Sequence, residues 1–341
     1  MPPPALLLLL AAAFAMPTAQ AEDSVARFLT FENDRYFHTD HYYTNGIQYS
    51  TRRTAAASPA WLDRVCRYGG CAEEALVSVQ QNFGQLMYTP THINVAAAQP
   101  LDRPWAGLLY SERAYTLETA DHDRLTTITL QAGLTGSMSL AEKSQKLVHR
   151  ILNVEEPQGW HNQVGNTLAV LGTLERRQAV PALRADFGNG IQIRTAAYWR
   201  VGVGSIMSYG AVGALVTIGK DLPELSPVPV GILNKVSVAP TDLACLLSSV
   251  RCTVFAGIEG RYMAYNIFLQ GRPFQTDPQV EPRRWVGDLM TGVRIDFIHT
   301  GTAQHGPWYI QFKATRRSKE FRSGGPVSAQ AFGALTIGRD W

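Results

Sequence analysis

The stretch Asp288-Leu289-Met290-Thr291-Gly292-Val293-Arg294-Ile295-Asp296-Phe297 decides the fold class. Side chains alternate across an extended chain, so Leu289, Thr291, Val293, Ile295 and Phe297 share one face and Asp288, Met290, Arg294 and Asp296 the other. The next stretch repeats the pattern, with Trp308, Ile310, Phe312 and Ala314 opposing Tyr309, Gln311, Lys313 and Thr315. Earlier, Ile128, Leu130, Ala132 and Leu134 oppose Thr127, Thr129, Gln131 and Thr135. A soluble sandwich alternates in the same way, so the charges on the polar faces discriminate. Glu259 with Arg261, and Arg294 with Asp296, suit a wet lumen and not a sandwich core. Tyr42, Tyr43, Trp105, Trp285 and Trp308 fall near strand ends, where an aromatic girdle is expected. The chain closes on Ala331, Gly333, Leu335 and Ile337 on one face and a terminal Trp341, similar to the last strand of bacterial outer-membrane barrels.

The expected fold is therefore all-β: an antiparallel transmembrane β-barrel of about twelve strands, with one short helix in an extracellular loop. With both termini periplasmic, the loops after residues 34, 90, 136, 204, 270 and 315 face outward. Composition agrees. The 341 residues carry a net charge of +3, with 17% charged and 45% hydrophobic residues. Those figures exclude a disordered chain and a basic nucleic-acid binder, since no Lys/Arg cluster exceeds a pair such as Arg316-Arg317. A mean hydropathy of −0.09 is what strands with one lipid face and one polar face average to. The longest apolar run, Ala5 to Met16, is too short for a membrane helix, which needs about 20 residues.

That run reads as a secretory signal over residues 1–21, with Ala19-Gln20-Ala21 as the cleavage site, although no Lys or Arg precedes it. The barrel domain is then 22–341. Export implies an oxidising compartment, and the spacings of Cys66 with Cys71 and of Cys245 with Cys252 suit local disulfides better than zinc.

One segment is not strand-like. Ser139-Leu140-Ala141-Glu142 has the form of a capping box, and Leu140, Leu147, Val148, Ile151 and Leu152 follow at helical spacing, which predicts a helix of about 14 residues. Gln145 and His149 share one face of it. Asn33, Asp34, Thr44, His149 and Glu155 all fall at the outer rim of one barrel. His38, Asp40 and His41 could ligate a metal but belong to a solvent-facing loop.

These residues carry a family resemblance. Glu32-Asn33-Asp34, Tyr43-Thr44-Asn45-Gly46, Gly84-Gln85…Tyr88-Thr89-Pro90, Asp102-Arg103-Pro104-Trp105-Ala106-Gly107 and Gln145-x3-His149-x5-Glu155…Pro157-x-Gly159-Trp160-x2-Gln163 resemble the LpxR-type lipid A 3′-O-deacylases. Phe255-Ala256-Gly257-Ile258-Glu259-Gly260, Asn266-Ile267-Phe268-Leu269-Gln270-Gly271 and Glu320-Phe321 agree. The resemblance implies a twelve-stranded outer-membrane barrel acting on lipopolysaccharide. It implies a site between the outer wall and the loop helix, and Ca2+-dependent removal of the 3′-linked acyloxyacyl group of lipid A. It assigns the site to Asn33, Asp34, Thr44, Gln145, His149 and Glu155. The basic pair of the best-known members is absent from His92-Ile93-Asn94-Val95-Ala96, and Arg103 or His92 is the substitute for binding lipid A phosphate.

In chemical terms His149 is the base that activates a water oriented by Gln145, since imidazole titrates near working pH. Asp34, Glu155 and Thr44 supply the oxygen ligands that calcium prefers, and Asn33 donates a hydrogen bond to the oxyanion. The partners expected are lipid A, the outer-membrane bilayer and no nucleic acid, with the chain a monomer. A covalent route through Ser137 or Ser139 needs a nucleophile about 15 Å along the helix from His149. The rival classes are a phospholipase-type esterase, whose His–Ser pair belongs on strand faces, and a passive porin, which needs neither the helix nor the polar cluster.

Overall fold

The computed structural model describes residues 25–37, 42–55, 57–188, 190–220, 222–225, 250–297, 306–323 and 327–339. The signal segment, the His38/Asp40/His41 group, Cys245 and Trp341 lie outside them. Twelve strands form the wall. In chain order they are β1 (Val25–Asn33), β2 (Tyr42–Thr54), β3 (Ala75–Thr89), β4 (Ala106–Glu118), β5 (Arg124–Thr135) and β6 (Leu168–Ala179). The second half is β7 (Ile191–Gly204), β8 (Met207–Lys220), β9 (Arg251–Asn266), β10 (Trp285–Phe297), β11 (Trp308–Arg317) and β12 (Gln330–Arg339). Each pairs antiparallel with its chain neighbour, and β1 with β12 closes the ring, for example through Phe31 opposite Leu335. Closure removes every sheet edge, which a lipid environment demands.

The alternation sorts as the sequence indicates. Leu29, Phe31, Ile47, Ile258, Leu289 and Ile310 are exposed on the outside, while Thr30, Glu32, Glu259, Arg294, Gln311 and Lys313 are buried inside. The loops after β1, β3, β5, β7, β9 and β11 share one rim, here the outer rim, and the start of β1 and the end of β12 stand at the inner one. The expected girdle is only half right. Trp285 and Trp308 are exposed, but Tyr42, Tyr43 and Trp105 are buried. Tyr43 turns inward and donates from its hydroxyl to Glu32 at 2.7 Å, and Trp105 is covered by the third loop.

The interior charges are buried in pairs rather than bathed in a wet lumen. Arg177 meets Glu175 at 2.7 Å, and Glu175 meets Arg200 at 2.6 Å. Arg200 reaches Glu259 at 3.3 Å, and Glu259 reaches Arg261 at 3.2 Å. Arg261 pairs with Asp288, which also takes Arg317 at 2.8 Å. Arg317 continues to Glu320 at 3.4 Å, and Glu320 to Arg103 at 2.6 Å. Signs alternate along this chain from β6 round to the outer rim. Glycines make room for it. Gly213 on β8 lies between Tyr198 and Glu259, a Cβ there would collide with the Tyr198 phenol, and Tyr198 donates across it to Glu259 at 3.0 Å. Gly84 does the same for Tyr110, which reaches Gln48 at 2.7 Å.

Above the charges, apolar side chains stopper the outer mouth. The short helix α3 (Ile267–Gln270) lowers Ile267 and Phe268 among Tyr43, Leu86, Tyr88 and Phe332, with the Tyr88 and Phe268 rings stacked at 4.4 Å. At the inner rim, helix α1 (Ala60–Gly69) packs Leu62 and Cys66 against Tyr115, Leu117 and Ile128. The Cys66–Cys71 disulfide forms as expected, and Gly70, at φ 77°, turns the chain to close it. Cys252 is disulfide-bonded as well.

Asp288 stands between two arginines, so removing it leaves buried positive charge uncompensated. Asp288→Ala is expected to destabilise the barrel by about 3–5 kcal/mol. Urea unfolding in detergent micelles measures this, and a midpoint unchanged from wild type would contradict the pairing.

Candidate functional site

Asn33 and the loop helix that carries Gln145 and His149 fall on the lipid side of the wall, and strand register shows why. Inward positions of β1 are even-numbered, so Phe31 and Asn33 point outward. Phe31 lies opposite Ile47, which lies opposite Gln85. One step nearer the rim, Asn33 pairs with Asn45, Asn45 with Met87, and Met87 with Gly107. An apolar row thus gives way to a row that begins with two asparagines.

Thr44 is the extra residue of a bulge between Tyr43 and Asn45. The bulge re-aims its side chain, and the hydroxyl lies 2.6 Å from that of Thr89 on β3. Asp34 follows Asn33 at the tip of β1 and is fully buried. The Asn33 side-chain oxygen accepts from the Arg35 amide at 2.7 Å, and the Asp34 carbonyl accepts from Phe37 at 2.9 Å, which folds the tip back. Asp34, Thr44, Thr89 and Asn33 offer the oxygen donors a hard cation takes. Among the described residues, no group of three or more His, Cys, Asp or Glu converges on a metal-sized point.

The second group arrives on helix α2, Ala141–Ile151. It is shorter than the spacing predicts, and the capping box does not form. Leu140 is the N-cap, in the left-handed region at φ 60°, and Ser139 lies one residue too early. Its hydroxyl instead donates to the Gly136 carbonyl at 2.6 Å, and Glu142 pairs with Lys146 at 2.7 Å. The helix is held against the outside of the barrel. Gln85 donates to the Ser139 carbonyl at 2.6 Å, and Ala141 sits over Gly107, where any Cβ would collide with it.

Ala141, Gln145 and His149 follow at i, i+4 and i+8, forming one row along the helix. Each finds a different partner. Ala141 packs with Met87, Trp105 and Trp160. Gln145 is buried, and its side-chain oxygen accepts from Trp160 Nε1 at 2.7 Å. That bond sets which end of the amide is which and leaves Gln145 Nε2 a buried donor with no acceptor among the described residues. His149 Nδ1 contacts the backbone carbonyl of Glu155. A carbonyl only accepts, so in the neutral imidazole the proton sits on Nδ1 and the lone pair on Nε2. Asn153, at φ 51°, turns the chain after the helix so that Glu155 can come back to the ring.

The two groups stand two strands apart along the wall, about 10 Å. Within each, the structure brings neighbours together: Asn33, Asp34 and Thr44 at the tips of β1 and β2, Gln145 and His149 on α2. The Glu155 carboxylate is exposed, and it is the backbone of this residue that touches His149. Arg103 is elsewhere, buried over the lumen, stacked 4.3 Å from the Tyr88 ring and bonded to Glu320. Ser137 donates to Asn166 and Ser139 to Gly136, so neither serine is paired with His149. Sequence reasoning gave Trp160, Gly107 and Gln85 no role, although all three stand inside motifs it singled out.

Comparison with known proteins adds an independent finding. The profile of a family described as outer membrane protein LpxR matches residues 6–341. Among solved structures, LpxR from Salmonella typhimurium superposes with a TM-score of 0.71 at 16% identity, over 93% of this chain and 100% of that one. The β domain of the Bordetella autotransporter BrkA gives 0.40 at 8% identity, over 94% and 100% of the two chains. The COG4313 outer membrane channel from Pseudomonas putida F1 gives 0.39 at 9%, over 96% and 100%. No curated protein matches by sequence.

The Arg103–Glu320 pair makes a pH prediction. Burial alone would raise the Glu320 carboxyl, but Arg103 and Arg317 outweigh it and hold the pKa below the ordinary carboxylate value. A depressed folded-state pKa contributes stability above the unfolded value, and that contribution fades as pH falls through the folded one. Unfolding midpoints in micelles should therefore drop on acidification below about pH 4.5. In Glu320→Gln this part of the slope should be missing, and a slope identical to wild type would refute the assignment.

Proposed function

Because the chain belongs to the LpxR family of outer-membrane proteins, we propose that it is a lipid A deacylase of the bacterial outer membrane. The reaction is calcium-dependent hydrolysis of the ester that carries the 3′-linked acyloxyacyl group, performed by a monomer. One contact carries this reading: His149 Nδ1 on the Glu155 carbonyl, which leaves Nε2 as a base on the lipid side of the wall.

Ester hydrolysis needs a nucleophile, a base and neutralisation of the oxyanion. Gln145 Nε2, one turn before His149, donates to the oxygen of a water and aims one of its protons at His149 Nε2. The imidazole takes that proton as the water oxygen bonds to the ester carbonyl carbon. His149, now charged, returns the proton to the departing sugar oxygen as the C–O bond breaks. The Asn33 amide donates to the carbonyl oxygen as negative charge gathers there. Asp34 and Thr44, together at the tips of β1 and β2, would hold a calcium ion, which when bound would supply Lewis-acid stabilisation of that oxygen, while the Glu155 carboxylate stands with the other group.

Two asparagines, Asn33 and Asn45, just above Phe31 and Ile47 suit a substrate whose esters lie at the junction of headgroup and acyl chains. The rival readings fare worse. A serine esterase lacks its Ser–His contact, and a passive pore is at odds with the stoppered mouth.

Mass spectrometry of lipid A from cells expressing the chain should show loss of an acyloxyacyl unit, abolished by calcium chelation. Intact lipid A in expressing cells would overturn the reading. His149→Ala should lower turnover about 10²–10⁴-fold in protein that still folds, as judged by heat-modifiable gel mobility. Near-wild-type turnover would remove His149 from the base role.

A further inference from the structure

Helix α2 leaves an apolar stripe without a protein partner. Leu140, Leu147 and Ile151 follow at i, i+7 and i+11, with Val148 and Leu152 beside them, and all five are exposed, Ile151 at 73%. Leu140, Leu147 and Ile151 lie on a different face from the row that packs on the wall, Ala141 and Gln145, while Val148 and Leu152 extend that row past the packed turns and are still exposed. Exposed apolar positions scattered singly need no explanation, but five on one short helix do.

We propose that this stripe is a membrane-docking surface, and that the outer leaflet of the bilayer occupies it. The helix lies on the lipid-facing side of the barrel, because Gln85 and Gly107, which hold it, are outward positions. Its first turn is also at membrane height. Gln85 is in register with Ile47 and Phe31, both exposed members of the lipid-facing band. The stripe therefore continues a surface that already meets lipid. Lys143 stands between Leu140 and Leu147 and is exposed, placed to extend its ammonium toward headgroup phosphate while its stem lies along the acyl zone. An amphipathic helix with these features lies in the interface plane.

The docking needs only the barrel in its bilayer and not the hydrolytic activity, so the two readings can fail separately. The described cysteines are all disulfide-bonded, so a nitroxide can be placed at Ile151→Cys in the full chain, with Glu156→Cys as the polar reference. In vesicles of phosphatidylcholine and lipid A, electron paramagnetic resonance reads the collision of each label with oxygen and with a water-soluble nickel chelate. The label at 151 should favour oxygen and be shielded from nickel at least fivefold more than the label at 156. Equal nickel access at both positions overturns the proposal, and so does dipolar broadening that reports a second copy on the stripe. Leu147→Ser/Ile151→Ser/Leu152→Ser should also lower turnover of lipid A in vesicles at least tenfold and leave turnover of detergent-dispersed lipid A unchanged. Equal losses in both assays would reduce the stripe to a structural role.

Discussion

A charge inside a membrane barrel must find its opposite there, and most of this structure follows from that demand. The wall encloses a volume too narrow to hydrate every acidic and basic group it carries, so the groups bind one another in a file of alternating sign. From Arg177 through Glu259 and Asp288 to Arg103, each acidic member of the file binds an arginine on either side. The file crosses β6, β7, β9, β10 and β11, so it locks strands that are distant in sequence into one register. Hydrogen bonds between neighbouring strands would survive a slip of two residues, but this pattern would not.

The interior also explains where chemistry can happen. Salt bridges occupy the middle of the barrel and aromatic rings its mouth, so the acidic and basic groups inside are engaged with one another. The outward-facing row at the rim is what remains. Its polarity depends on neighbours that have no chemical role: Gly107 admits α2 to the wall, and Gln85 holds the first turn by a single carbonyl. Trp160, held under the same loop, turns the Gln145 amide. The site is thus built from the loop's tertiary seating more than from the helix itself.

How much of this the sequence discloses depends on the range of the interaction. Alternation is a property of neighbours two apart, so the strands, their faces and the inward placing of Glu259, Arg294 and Lys313 are legible directly. Gln145 and His149 are legible as a pair because four residues make a helical turn. The contact between His149 and the Glu155 carbonyl is not, since a backbone group leaves no mark in composition. Arg103 shows the reverse problem. An arginine beside a polar motif looks available to substrate until Glu320, more than two hundred positions later, is found bonded to it. The capping box fails for a local reason with a distant cause: Ser139 is needed where α2 meets β3 and β4, so the N-cap position falls one residue later, on Leu140.

The aromatic stopper has a consequence for the cell that carries the protein. Tyr88, Phe268, Phe332 and Tyr43 close the barrel at one end. Such a plug opposes the passage of small solutes through the barrel. On the proposed reading substrate arrives by diffusion in two dimensions, and the relevant concentration is a number per unit area of leaflet. On that reading a competitor dissolved only in water would meet the aromatic plug, whereas one that partitions into the leaflet would meet the site.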